Sequence, residues 1–289
     1  MLAVVDKKGR VQYNRMLLLK NLLYPQVEIE VAPLDDFKMQ KKKYDIVYFS
    51  HFSLYDKKKI RGARATIASV TSHKCLLNLK KTINQLKQFD RVSVNNTFLL
   101  RELSPHISDL FYTPNGVDTK FFAFHKKILS KPLVIGWTGN ADRSIKNYKT
   151  IIEPLAKLFK DIRFSIIATS KKDTGKQLKS TNQMLQYYQT LHWFLVTSDA
   201  EGTPNPYHES HSVGVPAIST MVGNTVEIMQ DTIDGFFAEP SLESFADKVH
   251  VIQQIEPEQY KNMRLSARER MRDWDWDIKC KEWGRFLTC

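Results

Sequence analysis

Residues 199–220 read DAEGTPNPYHESHSVGVPAIST. Glu201 and Gly202 come first, then Thr-Pro-Asn-Pro, then a helical run from Tyr207, then Gly-Val-Pro and a short apolar strand. The first turn of a helix gathers unpaired backbone N–H groups and partial positive charge, which suits an anion such as a pyrophosphate. Pro204 and Pro206 lack an N–H, so Thr203, Asn205 and Tyr207 are the backbone donors of this turn. Pro206 fits the first helical position. Glu201 before the turn and Glu209 on the helix are placed to accept hydrogen bonds from hydroxyl groups. An anion with hydroxyl-rich groups on either side is the description of a nucleotide sugar.

Outward from this stretch, strand-like and helix-like segments alternate along the chain. The first series has strands at 2–6, 27–31, 44–50, 66–72, 91–94 and 110–112, with helices at 13–23, 76–89 and 96–103. A polar, basic link, residues 125–131, leads into a second series. Its strands are 133–137, 163–168, 193–197, 217–220 and 235–238. Its helices are 147–159 (with Pro154 inside), 181–190, 207–213, 225–229, 241–254 and 257–271. Alternating βα units predict parallel sheets covered by helices on both faces. Two series predict two doubly wound domains, each binding ligands at the carboxyl ends of its strands.

The 289 residues suffice for two domains. Hydrophobic content of 42% with 26% charged residues describes a globular chain. No apolar run approaches the ~20 residues of a membrane span. Cys75, Cys280 and Cys289 make no disulfide framework and fit a reducing cytosol. The net charge is +12, and it is unevenly spread: residues 1–122 carry 21 basic and 11 acidic side chains, the remainder 22 and 20. Lys41, Lys42 and Lys43, then Lys57, Lys58 and Lys59, followed by Arg61 and Arg64, are the densest basic stretches. An excess confined to one domain points to an anionic partner there: nucleic acid, anionic lipid or acidic glycan.

Ser198, Glu201, Gly202, Pro204, Glu209, Gly214 and Pro216 match, in order, a pattern of paired glutamates followed by Gly-x-Pro and a strand. This resembles the signature of retaining GT-B glycosyltransferases of family 4, the glycosyl transferases group 1. The resemblance extends to Pro114-Asn115-Gly116-Val117-Asp118 with Phe121, to Thr71-Ser72-His73 after a strand, to the segment from Gly136 to Lys146 and Asn147, to residues 225–235, and to a closing helix at 274–287. It implies an α/β chain of GT-B class, with two Rossmann-like doubly wound domains facing a cleft. Residues 1–122 with the C-terminal helix 273–289 would form the acceptor domain, and residues 123–272 the nucleotide-sugar donor domain.

By this resemblance His73, Glu201 and Lys146 are the catalytic residues. Glu209 holds the ribose hydroxyls, and Arg143, Gly9, Gly136, Asn140, Gly202, Thr203, Asn205 and Tyr207 complete donor binding. The donor is a UDP- or GDP-linked sugar and no metal is required. The acceptor is a hydroxyl group of a lipid-linked or surface glycan, or of a hydroxymethylated base in DNA. The expected location is the cytoplasm, at a membrane surface or on DNA. A sugar-nucleotide epimerase and a non-catalytic nucleic-acid- or glycan-binding protein share the implied fold and stay open.

Three features depart from the family pattern. Trp137 follows Gly136 where arginine is usual, and Arg143 is the nearby candidate to replace that charge. The loop at Lys7-Lys8-Gly9-Arg10 has a single glycine. Ser210-His211-Ser212 stands where small apolar residues are usual. His208 and His211 lie beside Glu209, but no third ligand has the spacing a zinc site needs. Asp273-Trp274-Asp275-Trp276-Asp277 contains an Asp-x-Asp, yet its place at a helix start reads as capping with tryptophans docked on the core.

Overall fold

The computed structural model describes residues 1–37, 43–60, 62–170 and 179–288. Lys41, Lys42, Arg61 and Cys289 therefore lie outside the described residues. The chain divides into two compact units, one of Met1–Asn115 with Asp277–Cys289, the other Gly116–Trp276.

The first unit is built on six parallel strands: β1 Leu2–Val5, β2 Glu30–Pro33, β3 Ile46–Phe49, β4 Ala65–Val70, β5 Arg91–Val94 and β6 Leu110–Tyr112. They lie in the order β2-β1-β3-β4-β5-β6. Helices α1 Val11–Leu22, α2 Leu79–Leu86 and α3 Thr97–Leu103 connect them. Strands covered on both faces read as continuous apolar runs, and all four residues of β1 are buried. The second strand falls three residues later than its apolar alternation suggests. Its ladder starts at Glu30 opposite Leu2 and ends with Pro33 opposite Val5. Proline is tolerated there because β2 is the sheet edge.

The second unit carries five parallel strands: β7 Val134–Asn140, β8 Arg163–Thr169, β9 Trp193–Val196, β10 Ala217–Ser219 and β11 Gly235–Phe237. Their order is β11-β10-β9-β7-β8. Its helices are α4 Glu153–Leu158, α5 Thr181–Thr190, α6 Asn205–Ser212, α7 Thr225–Ile228, α8 Leu242–Gln253 and α9 Pro257–Arg272. Successive strand side chains alternate between faces. Trp193 and Leu195 accordingly pack in one apolar cluster with Ile135, Ile218 and Phe245. Phe194 and Val196 pack in another with Tyr188, Tyr207 and Val213.

Two predicted helices begin irregularly. The stretch from residue 76 opens as a 3-10 turn, His73–Asn78, before α2. The stretch from residue 147 opens as a π-turn, Tyr148–Ile152, before α4. Pro154 has no N–H to donate into a regular α register, and the widened turn precedes it. In the 199–220 stretch, α6 starts at Asn205, so Pro206 takes the second helical position rather than the first.

The last helix, α10 Trp276–Thr288, belongs from Asp277 onward to the first unit. There Trp283 Nε1 donates to Pro114 O at 2.9 Å, and the Arg15 guanidinium lies 4.5 Å from the Trp283 ring centroid. Asp275, just before this helix, binds Thr119: its Oδ2 accepts from Thr119 N at 3.0 Å and Thr119 Oγ1 at 2.5 Å. Beside it, Val117 N donates to Trp274 O at 2.9 Å. No described helix is long and apolar enough to cross a membrane.

Candidate active site

The carboxyl end of β9 runs into Thr197, Ser198 and Asp199, and that of β7 into a loop ending at a 3-10 turn, Ser144–Lys146. The two loops are tied to each other. Thr197 Oγ1 donates to Lys146 O at 2.7 Å, and Asp199 N donates to Ile145 O at 3.0 Å. Asn147 adopts a left-handed conformation, φ 53°, which asparagine accommodates better than most residues. Its Nδ2 donates to Thr197 O at 2.9 Å and to Asp199 Oδ1 at 2.6 Å. This lacing brings Lys146 to Glu201: Lys146 Nζ donates to Glu201 Oε1, which also accepts from Ser198 Oγ at 2.7 Å. The pair is largely sheltered, with side-chain exposures of 19% and 13%. Trp137 backs this arrangement, its Nε1 donating to Thr197 Oγ1 at 3.3 Å.

Glu201 and Glu209 differ in their surroundings. Glu209 Oε2 accepts from the Tyr188 hydroxyl at 2.7 Å. Burial raises the Glu209 carboxyl to about 7, and the tyrosine hydrogen bond works against that rise. The Tyr188 phenol is itself held well above its ordinary range by burial and by Glu209, so the proton stays on tyrosine and the carboxylate accepts.

The turn between the glutamates is fixed internally. Asn205 N donates to Thr203 O at 3.0 Å and Tyr207 N to Pro204 O at 2.8 Å, so those two amides are engaged within the turn. Thr203 Oγ1 donates to Asn224 Oδ1 at 2.7 Å. Gly202 lies against Gly223, where an added Cβ would stand 2.5 Å from Gly202 O. The Tyr207 side chain is fully buried, its ring 4.7 Å from that of His211.

Other expected residues are spread more widely. Gly136 sits inside β7, paired with Ser165 and Phe194, and a Cβ there would meet Leu191 Cδ1 at 2.2 Å. Its small size serves the packing of α5's end on the sheet. Asn140 closes its own turn, Oδ1 accepting from Asp142 N at 2.9 Å. Arg143 is exposed and lines a pocket of about 710 Å³ with Asp142, Asn147, Tyr148 and Asp199. In the first unit, Gly9 has φ +75° in the turn after β1. His73 follows β4, its Nε2 3.4 Å from Asn96 Oδ1 and its ring 4.6 Å from that of Phe98.

The polar run behind Glu209 is hydrogen-bonded throughout. Ser212 Oγ donates to Phe122 O at 2.8 Å and accepts from Arg268 Nη1 at 2.8 Å. Ser210 Oγ donates to Tyr207 O at 3.1 Å. His211 Nδ1 meets Val215 O at 3.2 Å, and its Nε2 lies 3.8 Å from the buried Asp234. These side chains bond backbone and α9 where apolar ones would only pack. Among the described residues no group of three or more His, Cys, Asp or Glu side chains is arranged to hold a metal ion.

Tyr188 is not among the residues expected from the sequence, and Asn147 and Ser198 were expected there without a role of their own. Ser198 was visible in the Ser-x-x-Glu-Gly spacing. Tyr188 had no signal, since it reaches Glu209 from a different helix.

No curated protein sequence matches the chain. Residues 132–254 match the family described as Glycosyl transferases group 1. Among solved structures, sucrose-phosphate synthase from Thermosynechococcus elongatus superposes with a TM-score of 0.75 at 11% identity, covering 99% of this chain and 97% of that one. Anabaena HepE in complex with UDP and glucose gives 0.74 at 12% identity, covering 99% of both chains. TarM gives 0.66 at 14% identity over 84% of this chain and 55% of its own. With two parallel sheets, the chain has the GT-B fold of two Rossmann-like units and resembles the glycosyl transferases group 1, whose pattern its second unit carries.

Proposed function

We propose that this protein transfers a sugar from a nucleotide-sugar donor to a hydroxyl acceptor, with the donor held at the carboxyl edge of the second sheet. The observation that carries the reading is the pairing of Lys146 with Glu201, with the half-buried Glu209 further along the same stretch, inside the segment that matches the family. Glu209 accepts hydrogen bonds from the ribose hydroxyls. Lys146 turns from Glu201 to the diphosphate and stabilises the charge that develops as it leaves. Glu201, released from that ion pair, contacts the transferred sugar. Arg143 adds positive charge at the neighbouring pocket. His73 is the catalytic residue of the first unit. A uridine nucleotide is supported by HepE, a structural neighbour solved with UDP and with UDP-glucose.

In the transfer, the bond between the anomeric carbon and the diphosphate oxygen breaks. The acceptor oxygen bonds to that carbon on the same face, and the acceptor proton passes to the leaving oxygen. Configuration is thereby retained, and no metal is required. The acceptor is an anionic, lipid-linked or surface glycan. Lys57, Lys58, Arg64, Lys74, Lys80, Lys81 and Lys87 are exposed on the first unit and support an anionic partner. The same charge supports DNA with a hydroxymethylated base as a second reading. Another TarM structure, which contains fondaparinux, α-GlcNAc-glycerol and UDP, favours the glycan.

The test is release of nucleoside diphosphate from UDP- and GDP-sugars with glycan-bearing vesicles or hydroxymethylated duplex DNA as acceptor. Acceptor-dependent release identifies transfer and its acceptor. Turnover of the donor without any acceptor replaces the reading with epimerisation. No turnover with any acceptor argues for a binding protein.

A further inference from the structure

Tyr188 is fully buried, its ring edge-on to Phe122 at 6.1 Å and to Phe194 at 5.9 Å. These contacts fix where the phenol points, and its hydroxyl reaches one oxygen of Glu209. Ring and hydroxyl thus have separable duties, the ring packing the core and the hydroxyl aiming a carboxylate. A carboxylate has about four acceptor sites. The tyrosine uses one on Oε2, which leaves enough for both hydroxyls of a vicinal diol.

We infer that Tyr188 is a positioning residue that sets Glu209 to recognise the ribose diol, and so governs how strongly the site prefers ribonucleotides to nucleotides without that diol. The inference rests on the proposed donor role of Glu209. An unheld glutamate side chain has to be ordered when ligand arrives, which weakens binding. The Tyr188 hydrogen bond supplies that order in advance. Helix α6 packs on α5, β9 and α9. The buried and half-buried titratable or charged groups of these elements are Tyr187 and Tyr188 on α5, Tyr260, Arg264 and Arg268 on α9, and Tyr207, His208 and His211 on α6 itself. Tyr188 is the one hydrogen-bonded to Glu209.

The experiment measures dissociation constants by calorimetry for UDP and GDP, each beside its 2′,3′-dideoxy analogue. The proteins are wild type, Tyr188→Phe, Glu209→Gln and the double variant. Tyr188→Phe should weaken the ribonucleotide about tenfold, the size of one hydrogen bond to a charged group. It should leave the dideoxy analogue unchanged. It should also move the pH at which ribonucleotide binding falls off upward, because the hydrogen bond that opposes the rise of Glu209 is gone. In the Glu209→Gln background it should change nothing further. Equal weakening of both analogues, or an unmoved pH profile, would give Tyr188 a packing role and overturn the inference alone. A wild type that fails to discriminate between analogues, or binds neither nucleotide, would overturn the donor role of Glu209 and the inference with it. The double cycle keeps the test valid if Tyr188→Phe lowers stability, since a packing defect persists in the Gln background.

Discussion

Lys146 Nζ and Ser198 Oγ both donate to the same oxygen of Glu201, so the lysine is held by a carboxylate that is itself fixed from behind. On the proposed reading, this cation exchanges its carboxylate partner for the donor diphosphate. Lys146→Ala should lower turnover by about two to three orders of magnitude, as loss of a preorganised charge does. It should also weaken binding of the nucleoside diphosphate. Glu201→Gln should lower kcat while leaving affinity for the free diphosphate nearly unchanged. Steady-state kinetics with calorimetry on the two variants checks both outcomes.

Arg143 belongs to the neighbouring pocket and Lys146 to the ion pair, so the two charges are separable. Arg143→Ala should weaken donor binding less than Lys146→Ala does. Equal losses in titrations of the two variants would mean a shared role.

Glu209 gives a pH signature in stability. Its carboxyl is raised from 4.5 to about 7 by burial, so the folded state holds its proton more tightly than the unfolded chain. Stability from this group is therefore fully present at low pH and declines as pH rises through the window between those two values. Glu209→Gln removes this charge. Its melting temperature relative to wild type should rise more at about pH 8 than at about pH 5, while nucleotide binding falls. Calorimetric melting at the two pH values measures the difference.

Two glycines separate packing from site geometry. Gly223 has φ +51°, and an added Cβ would meet Gly202 O at 2.5 Å and Glu201 Cβ at 3.3 Å. Gly223→Ala should cost about 1–3 kcal/mol and disturb the Glu201 turn, with donor affinity lost in the folded protein. Gly136→Ala clashes instead with the Leu191 side chain. It should cost a similar amount while leaving the affinity of the folded protein intact. Denaturant titration beside calorimetry distinguishes the two patterns.

The two βα series were legible because parallel strands such as β1 and β9 are short, wholly buried apolar runs. The two glutamates stood out as candidates because Pro204, Gly214 and Pro216 frame them locally. What stayed hidden depends on partners distant in sequence. Ser212 is explained by Phe122 and Arg268, and Glu209 by Tyr188. The start of β2 was misplaced because Val27 and Ile29 are buried before the ladder begins at Glu30. Burial and pairing usually coincide in a strand; here they do not. The amides of Asn205 and Tyr207 looked available for an anion, yet each donates to a carbonyl within the turn.

On the proposed function, the turn between Glu201 and Glu209 holds a nucleotide sugar. The most direct measurement is the melting temperature of wild type and of Lys146→Ala/Glu209→Gln with a panel of UDP- and GDP-sugars. A ligand at 100 times its Kd stabilises the native state by about 2.7 kcal/mol, which a melting curve resolves. At least one donor should raise the wild-type transition and leave the double variant unmoved. A panel that moves neither protein, or moves both equally, would contradict the account.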